Sequence, residues 1–348
     1  MKSFVLLSVT LLFSPLNVQA APSTLYLRQR LPKIGSGPAT ATDGSTILED
    51  QVTVNGLPVR FKVSAPANQF TGNANAKGNT RNGALGINVL FHGDGGQSFF
   101  DFPNQGVNNG LMGVALLAPN SQLRWGGFDP QDQTGLVRPD GAAHSAAVNT
   151  FLTTMLPKVV NFDQSKIFME GVSGGSLLLS GFMIPTFGAS LGVPGVVFGC
   201  GGLPPQVNVQ GDISNIRIHW QSTIHDLPDL KTSIPQCITA YEKIASDAGL
   251  SNAQIDQLLT ADASPNGGHC EFDEKDFVSG VQLLTDNYGA VINGQATLNG
   301  VTVTNGVVGN EDLFGTSTSA QVATTAAAKG TGTGNARAKS SRVGKNGN

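Results

Sequence analysis

The chain has 348 residues, of which 40% are hydrophobic and only 13% charged, with 44 glycines and a formal net charge of -3. That apolar share is enough to build a core and excludes global disorder. The low and slightly acidic charge argues against a nucleic-acid surface. The length allows one large domain or two ordinary ones.

The first twenty residues have the pattern of a secretory leader. Lys2 gives the positive start, Phe4 to Leu12 a mostly apolar run, and Val18-Gln19-Ala20 the small residues before a cleavage point. Ser14, Pro15 and Asn17 interrupt the run too early for a membrane span, which needs about 20 apolar residues. No later stretch is expected to span a bilayer, so the mature protein is expected to be soluble and extracellular. Residues 21–44 form an N-terminal extension, and 45–315 are expected to be one folded domain.

Residues 49–65 spell a hairpin: Gln51–Val54 alternates, Asn55-Gly56 is a two-residue turn signal, and Val59–Val63 alternates again. A polar Asn/Gly-rich loop runs from Asn68 to Gly83. Ile87–Phe91 is then a nearly continuous apolar run, the mark of a buried parallel strand, and it stops at His92-Gly93-Asp94-Gly95-Gly96. A second buried run, Met112 to Leu117, stops at Ala118-Pro119-Asn120. Residues 143–160 repeat apolar side chains at three and four, which predicts a helix.

Lys166–Glu170 is the next strand, followed by Gly171-Val172-Ser173-Gly174-Gly175 and an apolar segment, Ser176 to Ile184, that reads as a buried helix. Strands follow at Val193–Phe198 and Ile216–Trp220, and a helix at Pro235–Ala248 with Ile238, Tyr241 and Ile244 on one face. A last helix is predicted over Phe277–Tyr288. This alternation predicts an α/β fold, a mainly parallel sheet flanked by helices. From Ala290 a six-residue Asn-Gly unit recurs three times. It predicts a small β appendage over 290–310 rather than a hexapeptide solenoid. Residues 316–348 are mostly Ser, Thr, Ala, Gly and Asn, with five basic residues, no acid and no bulky apolar residue beyond Val322 and Val343, the composition of a solvated, disordered basic tail.

The chemistry is expected where the glycines meet strand ends. Gly171-Val-Ser-Gly-Gly175 lies between a strand and an apolar helix, the context in which a serine on a sharp turn becomes a nucleophile. Gly171 and Gly175 remove side chains that would collide across that turn, and Gly174 offers an N–H to an oxyanion. The second oxyanion N–H is expected from Asp94 or Gly95, at the other strand end. A phosphate loop there is disfavoured, because the glycine spacing and the Walker lysine are both missing.

A serine nucleophile needs a base, and five histidines are available: His92, His144, His219, His225 and His269. In the chain order Ser, acid, His, only His269 leaves ample room for an acid strand after Ser173. Asp226 and Asp229 both follow the Ile216–Trp220 strand. Asp226, nearer the strand end, is preferred as the acid. The arrangement requires no metal and no cofactor. Cys200, Cys237 and Cys270 allow three pairings, one of them expected in a secreted chain.

Taken in order, Val54-Asn-Gly56, Phe91-His-Gly93, Ala118-Pro-Asn120 with Trp125, and Gly171-Val-Ser-Gly-Gly175 resemble the secreted α/β-hydrolase esterases. The resemblance is to the polyhydroxybutyrate depolymerase-like and feruloyl or acetylxylan esterase-like group, and it spans roughly residues 50–290. It implies an α/β-hydrolase fold and serine esterase activity on a carboxylic ester, polymers and polymer-derived esters included. It places the nucleophile on Ser173, the oxyanion strand end on His92–Gly95 and the base on His269. In some relatives a cysteine beside the serine bonds one beside the histidine. Cys270 follows His269 here but Val172 precedes Ser173, so that tie is expected to be absent.

Overall fold

Asn55 and Gly56 both take positive φ, 51° and 80°, the backbone of a tight hairpin turn whose twist matches that of its strands. The computed structural model describes residues 39–41, 43–71, 83–101, 107–292, 297–298, 301–302 and 305–306. The expected leader, most of the 21–44 extension, residues 72–82 of the Asn/Gly-rich loop and the basic tail lie outside them. Strand β1 (Ala39–Thr40) pairs antiparallel with β2 (Thr46–Val54), which the turn folds onto β3 (Leu57–Ala65). β4 (Gly86–Phe91) follows, then helix α1 (Gln97–Asp101), β5 (Val107–Asn108) and β6 (Leu111–Leu117). Every residue of β4 and β6 is buried, as an apolar run covered on both faces must be.

Helix α2 (Gly141–Thr150) begins the segment predicted as one helix to 160. It widens into a π turn at Phe151–Met155 and tightens into a short 3-10 turn at Leu156–Lys158, where Pro157 has no N–H to continue the ladder. β7 (Ile167–Val172) then leads through Ser173 into helix α3 (Gly174–Leu191). α3 is long and apolar enough to cross a membrane by length and composition alone, but most of it is buried inside the protein, as a core helix is. It too carries a π turn, Leu179–Met183, just before Pro185. The Tyr241 hydroxyl donates to the Ser180 carbonyl at 2.7 Å in that irregular turn.

β8 (Gly195–Gly199) and β9 (Arg217–Gln221) extend the sheet. Helix α4 (Pro228–Asp247) starts seven residues before the predicted Pro235. Pro228 fills the first turn, while Leu230, Ile234, Cys237, Ile238, Tyr241 and Ala245 form the buried stripe. Helix α5 (Asn252–Leu258) and strand β10 (Leu259–Asp262) were not legible in the sequence. α5 is closed by a capping box between Ser251 and Gln254.

Helix α6 (Phe277–Ile292) runs past the predicted end and absorbs Ala290 to Ile292, the start of the repeat. Of the remaining repeat, β11 (Thr297–Leu298) pairs with β12 (Val301–Thr302), and β13 (Asn305–Gly306) pairs antiparallel with β10. Among the described residues the repeat therefore makes short antiparallel pairs, and one of them covers the edge of the main sheet.

The sheet order is β1-β2-β3-β6-β4-β7-β8-β9-β10-β13, with β6 to β10 parallel in the middle and antiparallel strands outside. This is the order of the α/β-hydrolase fold. The chain leaves β4 to one side for β6 and returns to its other side for β7. The carboxyl ends of β4 and β7 thus flank a topological switch point, where ligands of open parallel sheets bind. One face of the sheet packs around Phe61, Phe151, Trp220 and Tyr241, and the other around Leu90, Val197, Phe272 and Leu284.

Glu170, on β7, lies wholly buried on the α6 side. It accepts hydrogen bonds from Asn88 Nδ2 at 3.1 Å and Thr285 Oγ1 at 3.0 Å. Burial pushes its pKa up to about 7, with the two hydrogen bonds opposing. The folded state favours the protonated form, so its stabilising effect is complete below about 4.5, falls as pH rises, and is lost above about 7. Glu170→Gln is expected to remove that slope and to exceed the wild type at pH 8 by on the order of 3 kcal/mol. Urea unfolding of both proteins at pH 5 and pH 8 measures the difference.

Candidate active site

Ser173 follows β7 with φ 50° and ψ -115°, a conformation that a side-chain-bearing residue takes only under constraint. The constraint is steric and lies in its neighbours. A Cβ on Gly171 would stand 2.6 Å from the Ser176 nitrogen, and one on Gly175 would collide with the Phe91 carbonyl at the end of β4. The Ser173 N–H donates to the Gly199 carbonyl at 2.8 Å, which ties the turn to the end of β8.

His269 arrives from the loop after β10. Its Nε2 is 3.0 Å from Ser173 Oγ, and its Nδ1 is 2.6 Å from Asp226 Oδ1. The carboxylate of Asp226 is buried and also accepts from the Leu227 N–H at 2.7 Å and the Ser222 hydroxyl at 2.8 Å. The structure therefore brings Ser173, His269 and Asp226 into one hydrogen-bonded chain. Asp229 is left in the exposed first turn of α4. Ser222 gave no sequence signal: its role depends on the loop folding so that a residue four earlier faces the carboxylate.

The acid and histidine loops are laced together through their backbones. Ile224 N–H donates to Pro265 O at 2.9 Å, His225 N–H to Gly267 O at 3.1 Å, and Thr223 Oγ1 to Gly268 O at 2.8 Å. A disulfide joins Cys200 to Cys270. Cys270, beside His269, therefore bonds no cysteine next to Ser173, where Val172 stands, but one further along the chain. Cys200 stands at the end of β8, one residue beyond the carbonyl that receives the Ser173 N–H, so the tie runs from the adjacent strand rather than from the residue before the serine. Cys237 is free and buried, and burial pushes its thiol up to about 12.

The other histidines are occupied elsewhere. His92 accepts the Ala118 N–H at Nε2 (2.9 Å), with Nδ1 at 2.5 Å from the Gly93 carbonyl, so it locks the ends of β4 and β6. Burial draws it down to about 4, and the buried His219 likewise. His144, lowered by burial, accepts the Gly126 N–H at 2.9 Å. His225 pairs with Asn266 at the surface.

Of the backbone donors expected for an oxyanion, Gly95 drops out: its N–H is bonded to the Leu123 carbonyl at 3.0 Å. Asp94 lies in the turn after β4, its carboxylate against Gly174, which follows Ser173 as the first residue of α3. The groove beside Ser173 has a volume of about 440 Å³ and is lined by Arg124, Phe128, Leu136, Leu177 and Leu227 among others. The Phe277 ring lies beside His269, with ring centroids 6.2 Å apart.

No protein-family model and no curated protein matches this chain. Among solved structures it is similar to a thermostable esterase, at 15% identity and TM-score 0.47, over 73% of this chain and 68% of that one. It is also similar to MGS-M1, an α/β hydrolase from a Medee basin deep-sea metagenome library (13%, TM-score 0.44, 73% and 98%). A CIB-like hydrolase from Thermoplasma acidophilum resembles it at 14% identity and TM-score 0.42, over 70% and 99% of the chains.

The disulfide closes a sequence separation of 70 residues. Replacing Cys200 and Cys270 together by alanine is expected to lower the unfolding free energy by about 4 kcal/mol. Guanidinium unfolding monitored by tryptophan fluorescence measures it.

Proposed function

We propose that the protein is a secreted serine esterase that cleaves carboxylic esters through an acyl-enzyme. The observation that carries this reading is the unbroken chain Asp226–His269–Ser173, at 2.6 and 3.0 Å, with the serine on a strained turn at the switch point of the sheet.

In this reading Ser173 Oγ attacks the ester carbonyl while His269 Nε2 takes its proton. Asp226 holds Nδ1–H and stabilises the imidazolium. The N–H groups of Asp94 and Gly174 receive the oxyanion. His269 then returns the proton to the departing alkoxide, and water repeats the sequence to release the acid. The chemistry is complete with these side chains and backbone groups. The disulfide supports the secreted part of the reading, since such bonds persist in oxidising compartments. The resemblance of the sequence motifs supports a polymer or polymer-derived ester as substrate.

A fluorophosphonate probe is expected to label the wild type and not Ser173→Ala. A folded wild type that stays unlabelled would overturn the serine reading. Asp226→Asn is expected to reduce kcat on an aryl ester by at least about 10³-fold, whereas Asp229→Asn remains within a few-fold of wild type. The reverse ranking would move the acid to Asp229.

A further inference from the structure

An acidic side chain stands where a developing negative charge is proposed to be held. The Asp94 carboxylate lies against the first residue of α3: a Cβ on Gly174 would collide with its Oδ1. By simple electrostatics a lone carboxylate there would repel an oxyanion bound by the Asp94 and Gly174 amides.

Two guanidinium groups meet that one carboxylate. Arg138 grips it with both ends of its fork, Nη1 to Oδ1 at 2.8 Å and Nη2 to Oδ2 at 2.9 Å, and Nη1 also donates to the Trp125 carbonyl at 3.0 Å. Arg124 brings its Nε to 3.0 Å from Oδ2. The Arg138 side chain is only 2% exposed, against 30% for Asp94, so a buried bidentate guanidinium holds a carboxylate that itself reaches solvent.

The support behind it is rigid. Trp125 is buried against Phe91 and His92, with ring centroids at 5.2 and 5.5 Å. Gly126 takes φ +77° directly behind Arg138, where a Cβ would stand 2.6 Å from the arginine's own. The segment 123–138 thus holds the turn after β4 from two sides, through Leu123 to the Gly95 amide and through Arg138 to the Asp94 side chain.

We propose that Arg138 is a positioning residue of the oxyanion site: with Arg124 it turns Asp94 from a repelling neighbour into a cluster of net positive charge, and it fixes the Asp94 amide against Gly174. This rests on the serine-esterase reading above. A guanidinium is required because lysine cannot supply the two parallel bonds. The effect belongs to the transition state, so it should appear in kcat and leave KM nearly unchanged.

The test is a charge cycle on p-nitrophenyl acetate hydrolysis. Arg138→Met is expected to lower kcat at least tenfold with KM within about threefold of wild type. Adding Asp94→Asn, which keeps the backbone amide but removes the uncompensated charge, is expected to recover at least about fivefold of that loss. Arg138→Gln, a polar replacement that can still bond Asp94, provides the same comparison if the methionine variant does not fold. A kcat within threefold of wild type in the folded Arg138 variant, or a double variant no faster than the single one, would overturn the proposal. A wild type that neither hydrolyses the ester nor takes the fluorophosphonate label would instead overturn the underlying reading.

Discussion

The site depends on backbone meeting backbone between the end of β4 and the first turn of α3. The Phe91 carbonyl sits where a side chain at Gly175 would have to go. No packing adjustment can absorb a collision with a strand's own main chain, so the end of β4 and the first turn of α3 approach this closely only with glycine there. That approach sets the separation between the turn carrying Asp94 and the turn carrying Ser173. The placement of His269 and of the buried arginine follows from it.

Around this contact the protein uses different forces for different tasks. Burial fixes the sheet, whose central strands are covered on both faces. Hydrogen bonding fixes the imidazole, because Asp226 meets three donors with a carboxylate sealed from water. Charge pairing fixes the loop after β4, where one acid is shared between two bases. A covalent bond fixes the late loop. The four histidines away from Ser173 show that imidazole alone is not the signal: His92 and His219 are neutralised by burial and serve as polar struts.

What could be read from the sequence was what is local. Gly171-Val-Ser-Gly-Gly175 is legible because the strained turn, its glycines and the helix after it are contiguous, and the hairpin at Asn55-Gly56 is legible for the same reason. The parallel strands announce themselves by continuous apolar runs. β10 escapes because Leu259-Thr-Ala-Asp262 has no such run and gains its strand character by pairing with β9 and β13. Asp226 and Asp229 look alike in sequence. They separate only when the loop folds, one turned inward onto Ser222 and His269, the other left on a helix end. The cysteine pairing and the hold of Arg138 on Asp94 join residues tens of positions apart, and no spacing rule reaches them.

The Cys200–Cys270 bond has a consequence for how the chain fails. Asp226 and His269 lie between its two ends, while Ser173 lies before them. A single proteolytic cut in the partly exposed stretch around Val207 to Gly211 would leave two polypeptides, one holding the nucleophile and the other the acid and base. Both would still be one molecule, joined beside the residue that must reach the serine. Nicking there divides the chain without dispersing its working parts.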